Sequence, residues 1–198
     1  LWIEHERASS VFSSIFKKIY EGKADLSDLE VAEPNLLDLK VELANRLLKH
    51  CEFCRWNCKI DRTLGGKLGT CQLDITSRVG SFFHHRGEEL VFRGNNGSGT
   101  IFFTSCNMRC AFCQNGDIST DKYNGIPVSP KQLATMMWQL RMEGCHNINL
   151  VGGEPTIHFH TIIEAIRELP KLRPSKSDFQ YIQNCYADYP IYRFQNKL

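Results

Sequence analysis

Apolar residues in the first fifty positions recur at helical spacing. Val11, Phe12, Ile15, Phe16, Ile19 and Tyr20 keep an i, i+4 rhythm that predicts a helix, with Ser9 or Ser10 as N-cap and Gly22 as stop. A second helix is expected over 35–49, with Leu36, Leu39, Leu43 and Leu47 along one side. The polar stretch 25–30 and Pro34 separate the two. Both helices read as a packing extension that carries no chemistry.

Past residue 97 the pattern becomes short apolar runs alternating with helical ones. Residues 100–104, Thr-Ile-Phe-Phe-Thr, are β-branched and aromatic and predict a buried strand. Ser129 or Pro130 opens a helix through Met142, with Leu133, Met136, Met137 and Leu140 facing inward and Gly144 as its stop. Residues 146–151 predict a second strand. A helix over about 158–169 presents Ile162, Ile163, Ala165, Ile166 and Leu169, and Pro170 ends it. A third strand is expected over 178–182. Strands alternating with helices argue an α/β fold with a parallel sheet and right-handed crossovers. Residues 79–96 read as a strand-and-turn connector. It contains His84 and His85, which point different ways on most backbones, so one of them at most is expected near a site.

Composition narrows the class. The 198 residues suffice for one substantial domain or a small pair, and 42% hydrophobic with 23% charged residues fits a soluble globule. A net charge of +2 gives no electrostatic case for nucleic acid or an anionic membrane. No apolar run approaches the roughly 20 residues of a membrane span, and no secretory signal is visible. The nine cysteines are an odd number and mostly clustered. That favours metal ligation in a reducing, cytoplasmic setting over a disulfide scaffold.

Cys106, Cys110 and Cys113 stand in the order C-x3-C-x2-C directly after the first predicted strand. The thiols therefore sit in a loop at a strand's C-terminal end, where α/β folds usually place ligands. Thiolates are soft ligands for zinc or iron–sulfur clusters. Alone, the trio reads as zinc; if it holds a four-iron cluster, one iron is left open. Gly152-Gly153-Glu154-Pro155 closes the second predicted strand and, alone, reads as an ordinary strand-to-helix turn. Upstream, Cys51-x2-Cys54-x3-Cys58 is followed by Cys71 after twelve residues that include a glycine-rich turn, 65–69. Four thiols in so short a segment could close a tetrahedral zinc site or hold a second iron–sulfur cluster, and spacing alone does not choose. The alternative is four unligated buried thiols. Arg55, Trp56 and Arg62 read as packing and surface residues.

With the aromatic Phe112 before its third cysteine, the trio resembles the cluster motif of the radical S-adenosylmethionine (SAM) superfamily. Gly152–Pro155 resembles a second motif of that superfamily, in the right order and also ending a predicted strand. The run Gly-Ser-Gly-Thr-Ile-Phe-Phe-Thr-Ser-Cys over 97–106, and the Cys51-x2-Cys54 segment, are similar to proteins related to pyruvate formate-lyase activating enzyme. The resemblance covers about 48–182 and implies a partial (β/α) barrel of the radical-SAM type, with about three parallel strands. A helical extension (1–50) and a cysteine-rich segment with its connector (51–96) precede the partial core (97–182), and a divergent tail (183–198) follows.

The resemblance further implies a 4Fe-4S cluster on Cys106, Cys110 and Cys113, with the SAM amino and carboxylate groups on the fourth iron. Gly152 and Gly153 would admit the methionine part of SAM to the backbone, Glu154 would help hold its ammonium, and Pro155 would fix the turn. Phe112 would pack by the cluster. The implied activity is that of an activating-enzyme-like oxidoreductase: reductive cleavage of SAM to a 5′-deoxyadenosyl radical that abstracts hydrogen. A one-electron donor such as flavodoxin or ferredoxin is implied, and a glycyl-radical enzyme is the nearest protein substrate. The core is expected to be C-terminally incomplete, with an open strand edge at 178–182 and weak cofactor binding unless another chain completes the sheet. Tyr189-Pro190 disfavours the helix that the family places after the third strand, and Cys185 reads as part of that divergent end. The competing class is a non-catalytic iron–sulfur or zinc-binding protein, or an electron carrier; a carrier needs no SAM pocket, so Gly152–Pro155 counts against it.

Overall fold

The computed structural model describes residues 1–171 apart from 26, 28 and 31. The expected third strand, Cys185 and Tyr189-Pro190 lie outside the described residues.

Both N-terminal helices form. Helix α1 spans Trp2–Tyr20, with Leu1 rather than Ser9 or Ser10 at its N-cap. None of its residues is buried, and Phe12, Phe16 and Tyr20 are exposed, so its apolar stripe packs far less than the sequence suggests. Helix α2, Leu36–Leu48, starts at a capping box: Asn35 accepts the amides of Leu37 and Asp38, and Asp38 accepts that of Asn35. It buries Val41, Leu43, Ala44 and Leu48; of the expected line Leu43 is buried, while Leu36, Leu39 and Leu47 are half-buried.

Among the described residues the sheet has four strands, in the order β3-β1-β2-β4. Strand β1 is Ser77–His85, β2 is Ser98–Phe103, β3 is Ile126–Val128 and β4 is Asn147–Gly152. Among the described residues β2 and β4 pair in parallel, while β1 runs antiparallel to both β2 and β3. Two of the three expected parallel strands are thus present, and the third, 178–182, lies outside the described residues. Residues 79–96 contain the strand expected of them, with a short helix where a turn was expected. They hold most of a nine-residue strand and the short helix α3, Leu90–Arg93. The short link from β1 to β2 returns the chain antiparallel, since a parallel neighbour needs a full crossover.

The crossover from β2 to β4 includes helix α4, Gly116–Thr120, strand β3, and helix α5, Pro130–Met142. Helix α5 forms as the sequence predicts. Ser129 and Gln132 make a capping box, Pro130 stands in the first turn, and Gly144 follows the helix at φ +90°. Leu133, Met136, Met137 and Leu140 are buried and meet Val79, Phe82, Ile101 and Phe103 from the sheet. Helix α6, Phe159–Glu168, adds Ile162 and Ala165 to the same core and packs on α5 and α2. A short 3-10 turn, Pro155–His158, leads into it, and Pro170 sits in another, Leu169–Lys171. Among the described residues no helix is long and apolar enough to cross a membrane.

Candidate functional site

The ends of β2 and β4 position the site. The two strands pair with Phe103 opposite Gly152, so both chains leave the sheet at the same level. Beyond Phe103 come Thr104, Ser105 and Cys106; beyond Gly152 come Gly153, Glu154 and Pro155. The Gly153 amide donates to Phe103 O at 2.8 Å, and the Glu154 amide to Ser105 O at 2.9 Å. Glycine is required here. Gly152 has φ +99°, and a Cβ on Gly153 would stand 1.7 Å from Ser105 O.

The start of the cysteine loop is fastened on every side. Thr104 N–H donates to Arg78 O at 3.1 Å and Ser105 N–H to Ile118 O at 2.7 Å. Thr104 Oγ1 bonds Lys122 O at 3.1 Å, and Ser105 Oγ donates to Cys71 O. Ser105 itself is held at φ +69°, a left-handed conformation uncommon for serine. From behind, the buried His158 donates Nε2–H to Thr104 O at 2.9 Å, and its ring stacks on Phe103 at 4.8 Å. Because a carbonyl only accepts, the proton is on Nε2, and buried Nδ1 has no hydrogen-bond partner.

Within the loop, Cys106 is buried, Cys113 half-buried and Cys110 exposed. Two sulfurs already accept hydrogen bonds: Cys106 Sγ from Met108 N–H at 3.3 Å, and Cys113 Sγ from Ser119 Oγ at 3.6 Å. Phe112 stands 88% exposed rather than packed beside the sulfurs. Glu154 Oε1 accepts from Thr156 N–H at 2.9 Å and Thr156 Oγ1 at 2.8 Å, so this carboxylate oxygen caps the 3-10 turn. Oε2 has no partner among the described residues and is the atom left to meet a cation.

Among the described residues no group of three or more His, Cys, Asp or Glu side chains is arranged to hold a metal ion as it stands. The donor set and its surroundings nevertheless fit an iron–sulfur cluster. They offer three thiols on one short loop, two of them hydrogen-bonded at sulfur, beside a side-chain-free glycine pair. Cys145 is elsewhere. It is buried in the core before β4, at the opposite end of that strand from Gly152, and burial, with Glu143 adding to it, pushes its thiol up to about 11. His84 and His85 pair with Gly99 and Ser98, at the end of β2 remote from Cys106. Neither of this pair lies by the site; the histidine beside it is His158.

The cysteine-rich segment meets the site through residues whose roles the sequence does not announce. Trp56 Nε1–H donates to Asn107 O at 2.8 Å, inside the cysteine loop. Arg62, only 1% exposed, spans from Asp74 O to Ile157 O, just after Pro155. A tryptophan and an arginine in a turn-rich stretch carry no periodic signal, and their partners are 51 and 95 residues away.

Residues 100–186 match the family model described as the Radical SAM superfamily. The chain is 38% identical over 170 residues to an uncharacterized protein of Methanocaldococcus jannaschii; the match covers 83% of this chain and 48% of the relative. The chain thus spans about half the length of that curated relative. No solved structure matches it.

Proposed function

We propose that this chain carries a radical SAM site, with Cys106, Cys110 and Cys113 as ligands of a 4Fe-4S cluster and Gly152–Pro155 as the adjoining SAM-binding edge. The observation that carries the reading is the register of β2 and β4, which brings the cysteine loop and the Gly-Gly-Glu-Pro turn backbone to backbone. When bound, the cluster supplies the electron for reductive cleavage of SAM, whose 5′-deoxyadenosyl radical abstracts hydrogen from substrate. The protein's part is placement. Ser105 and Thr104 hold the root of the loop, while Met108 N–H and Ser119 Oγ donate to the Cys106 and Cys113 sulfurs and orient them. The glycine pair leaves backbone open to a ligand, and Glu154 Oε2 offers a negative partner for an ammonium group. A zinc protein or simple electron carrier would not need that glycine edge beside its thiols.

The finer reading is an activating-enzyme-like oxidoreductase with a protein substrate, such as a glycyl-radical enzyme, served by a flavodoxin or ferredoxin. The similarity of 97–106 to such proteins supports it. Anaerobic reconstitution with iron and sulfide, followed by SAM, tests the site. A cluster whose absorption and spin-resonance signals change on adding SAM is expected. A cluster indifferent to SAM overturns the reading.

A further inference from the structure

The second group of cysteines lies in a different place from the site above, and it is built as a unit. Cys51 and the segment after Cys58 are cross-bonded: Cys51 N–H donates to Ile60 O at 2.9 Å, and Lys59 N–H to Cys51 O at 3.1 Å. Cys58 Sγ lies 3.9 Å from Cys51 O. The turn carrying Cys71 closes on the same spot, since a Cβ on Gly69 would stand 2.9 Å from Cys58 Sγ. Tight turns hold Cys54, through Asn57 N–H to Cys54 O at 3.0 Å, and Cys71, through Gln72 N–H to Gly69 O at 2.9 Å. The backbone bonds and close contacts thus tie Cys51, Cys58 and the turn of Cys71 together, and Cys54 sits on the turn between the first two.

Arg62 sits beside them as a buried cation with no anionic partner among the described residues. Its Nε and Nη2 donate to Asp74 O at 3.0 and 2.8 Å, and Nη1 to Ile157 O at 2.8 Å. Its guanidinium lies 5.6 Å from the centre of the Phe53 ring. Every described partner is a neutral carbonyl or a ring face, and no carboxylate pairs with it among the described residues. A full charge buried among neutral groups is costly unless an opposite charge lies close by. Asp74 meets it through its backbone carbonyl and not its carboxylate, so the thiolates of a filled site would supply the opposite charge.

We propose that Cys51, Cys54, Cys58 and Cys71 form a closed tetrathiolate site for a divalent cation of the zinc type, with Arg62 as its buried counter-cation. Binding releases four thiol protons to solvent and leaves a metal–thiolate unit of charge −2, which the guanidinium offsets in part. The sulfurs are not gathered as free thiols. Rotation about χ1 gathers them, because the backbone around them is already cross-bonded. Four protein ligands leave no open position, so the metal is structural. It would brace the turns that supply Cys71 O to Ser105 and Trp56 to Asn107.

The test uses the full chain carrying C106A, C110A and C113A, so that metal on the other loop does not interfere. Elemental analysis after purification should find about one zinc per chain, and cobalt replacement should give the spectrum of a tetrahedral thiolate complex. Zinc should protect four thiols from alkylation, and a strong chelator should free them. Arg62→Gln should weaken zinc roughly 10- to 100-fold in competition with a chelator. Folded protein that takes up neither zinc nor cobalt overturns the site. So does equal alkylation with and without zinc, or retention of iron and sulfide on these four cysteines instead. Unchanged affinity in a folded Arg62→Gln protein overturns the counter-cation.

Discussion

Gly153 stands against Ser105 with no room for a side chain: a Cβ there would reach 1.7 Å from Ser105 O. The neighbouring amide, Glu154 N–H, bonds that same carbonyl at 2.9 Å. Anything that pushes on Ser105 also pushes on Cys106, the next residue and the most buried of the three loop cysteines.

Gly153→Ala is therefore expected to displace the root of the cysteine loop. Overpacking of this kind costs about 1–3 kcal/mol. The denaturation midpoint should fall accordingly, and the spectral response of a reconstituted cluster to SAM should be lost. Gly66→Ala is the control. Nothing lies within 4 Å of its added Cβ and its φ is ordinary, so stability and response should stay unchanged.

The cysteines separate by position. Cys106→Ala, Cys110→Ala or Cys113→Ala should each lose reconstituted cluster iron and abolish SAM cleavage, because two thiolates do not replace three. Cys145→Ala should keep its iron. It leaves a small cavity among Ile101, Leu140 and their core neighbours, costing about 1 kcal/mol. Iron and sulfide analysis of the four folded variants decides the assignment.

What was legible in the sequence follows physical scale. Helix α5 was readable because Ser129, Pro130, Gln132, four apolar positions and Gly144 all agree locally. The pairing of the two motifs was readable because each ends a short apolar run. The bounds of strand β1 were not. Gly80 sits at its bulge and a histidine pair ends it, so no clean alternation marks it. Strand β3 has three residues, too few for any period to emerge. The start of α1 was misplaced because Ser9 and Ser10 resemble caps but lie inside the helix, where Ser13 Oγ turns back to Ser9 O. At the site, contacts such as Trp56 to Asn107 join residues far apart in sequence and become visible only in three dimensions.

Acid should loosen the wall behind the site. Burial, with Arg62 adding to it, pushes His158 down to about 3 and His160 down to about 4, from an ordinary 6.5. Both rings donate Nε2–H to carbonyls, of Thr104 and Ile75, and bury an unpartnered Nδ1. Below pH 6.5 the unfolded chain takes up protons that the folded chain refuses. The stability is thus present above 6.5 and is lost as pH falls toward 4 and then 3. The slope per ring is at most about 1.4 kcal/mol per pH unit. Urea titrations across this window should show it, and His160→Gln should flatten it by one ring's share; an unchanged slope would contradict the burial of a neutral ring.

The contact between the two cysteine-bearing segments is testable at Trp56. Its indole N–H is the donor to Asn107 O at 2.8 Å, although the side chain is half exposed. Asn107 is buried, and its own Oδ1 lacks a hydrogen-bond partner among the described residues. Trp56→Phe keeps an aromatic ring and removes only the donor. The lost bond is worth about 1 kcal/mol. Because the bond is made to the residue between Cys106 and Met108, that loss should fall on the loop rather than on the sheet or α5. Reconstituted Trp56→Phe should release cluster iron to a chelator several-fold faster than the parent, roughly the factor that 1 kcal/mol allows. Its circular dichroism and core melting should be unaltered. Trp2→Phe serves as the control, since Trp2 lies on α1 with more than half its surface exposed, and its iron release should match the parent. Equal release rates for all three proteins would show that the cysteine-rich segment does not brace the loop through this bond.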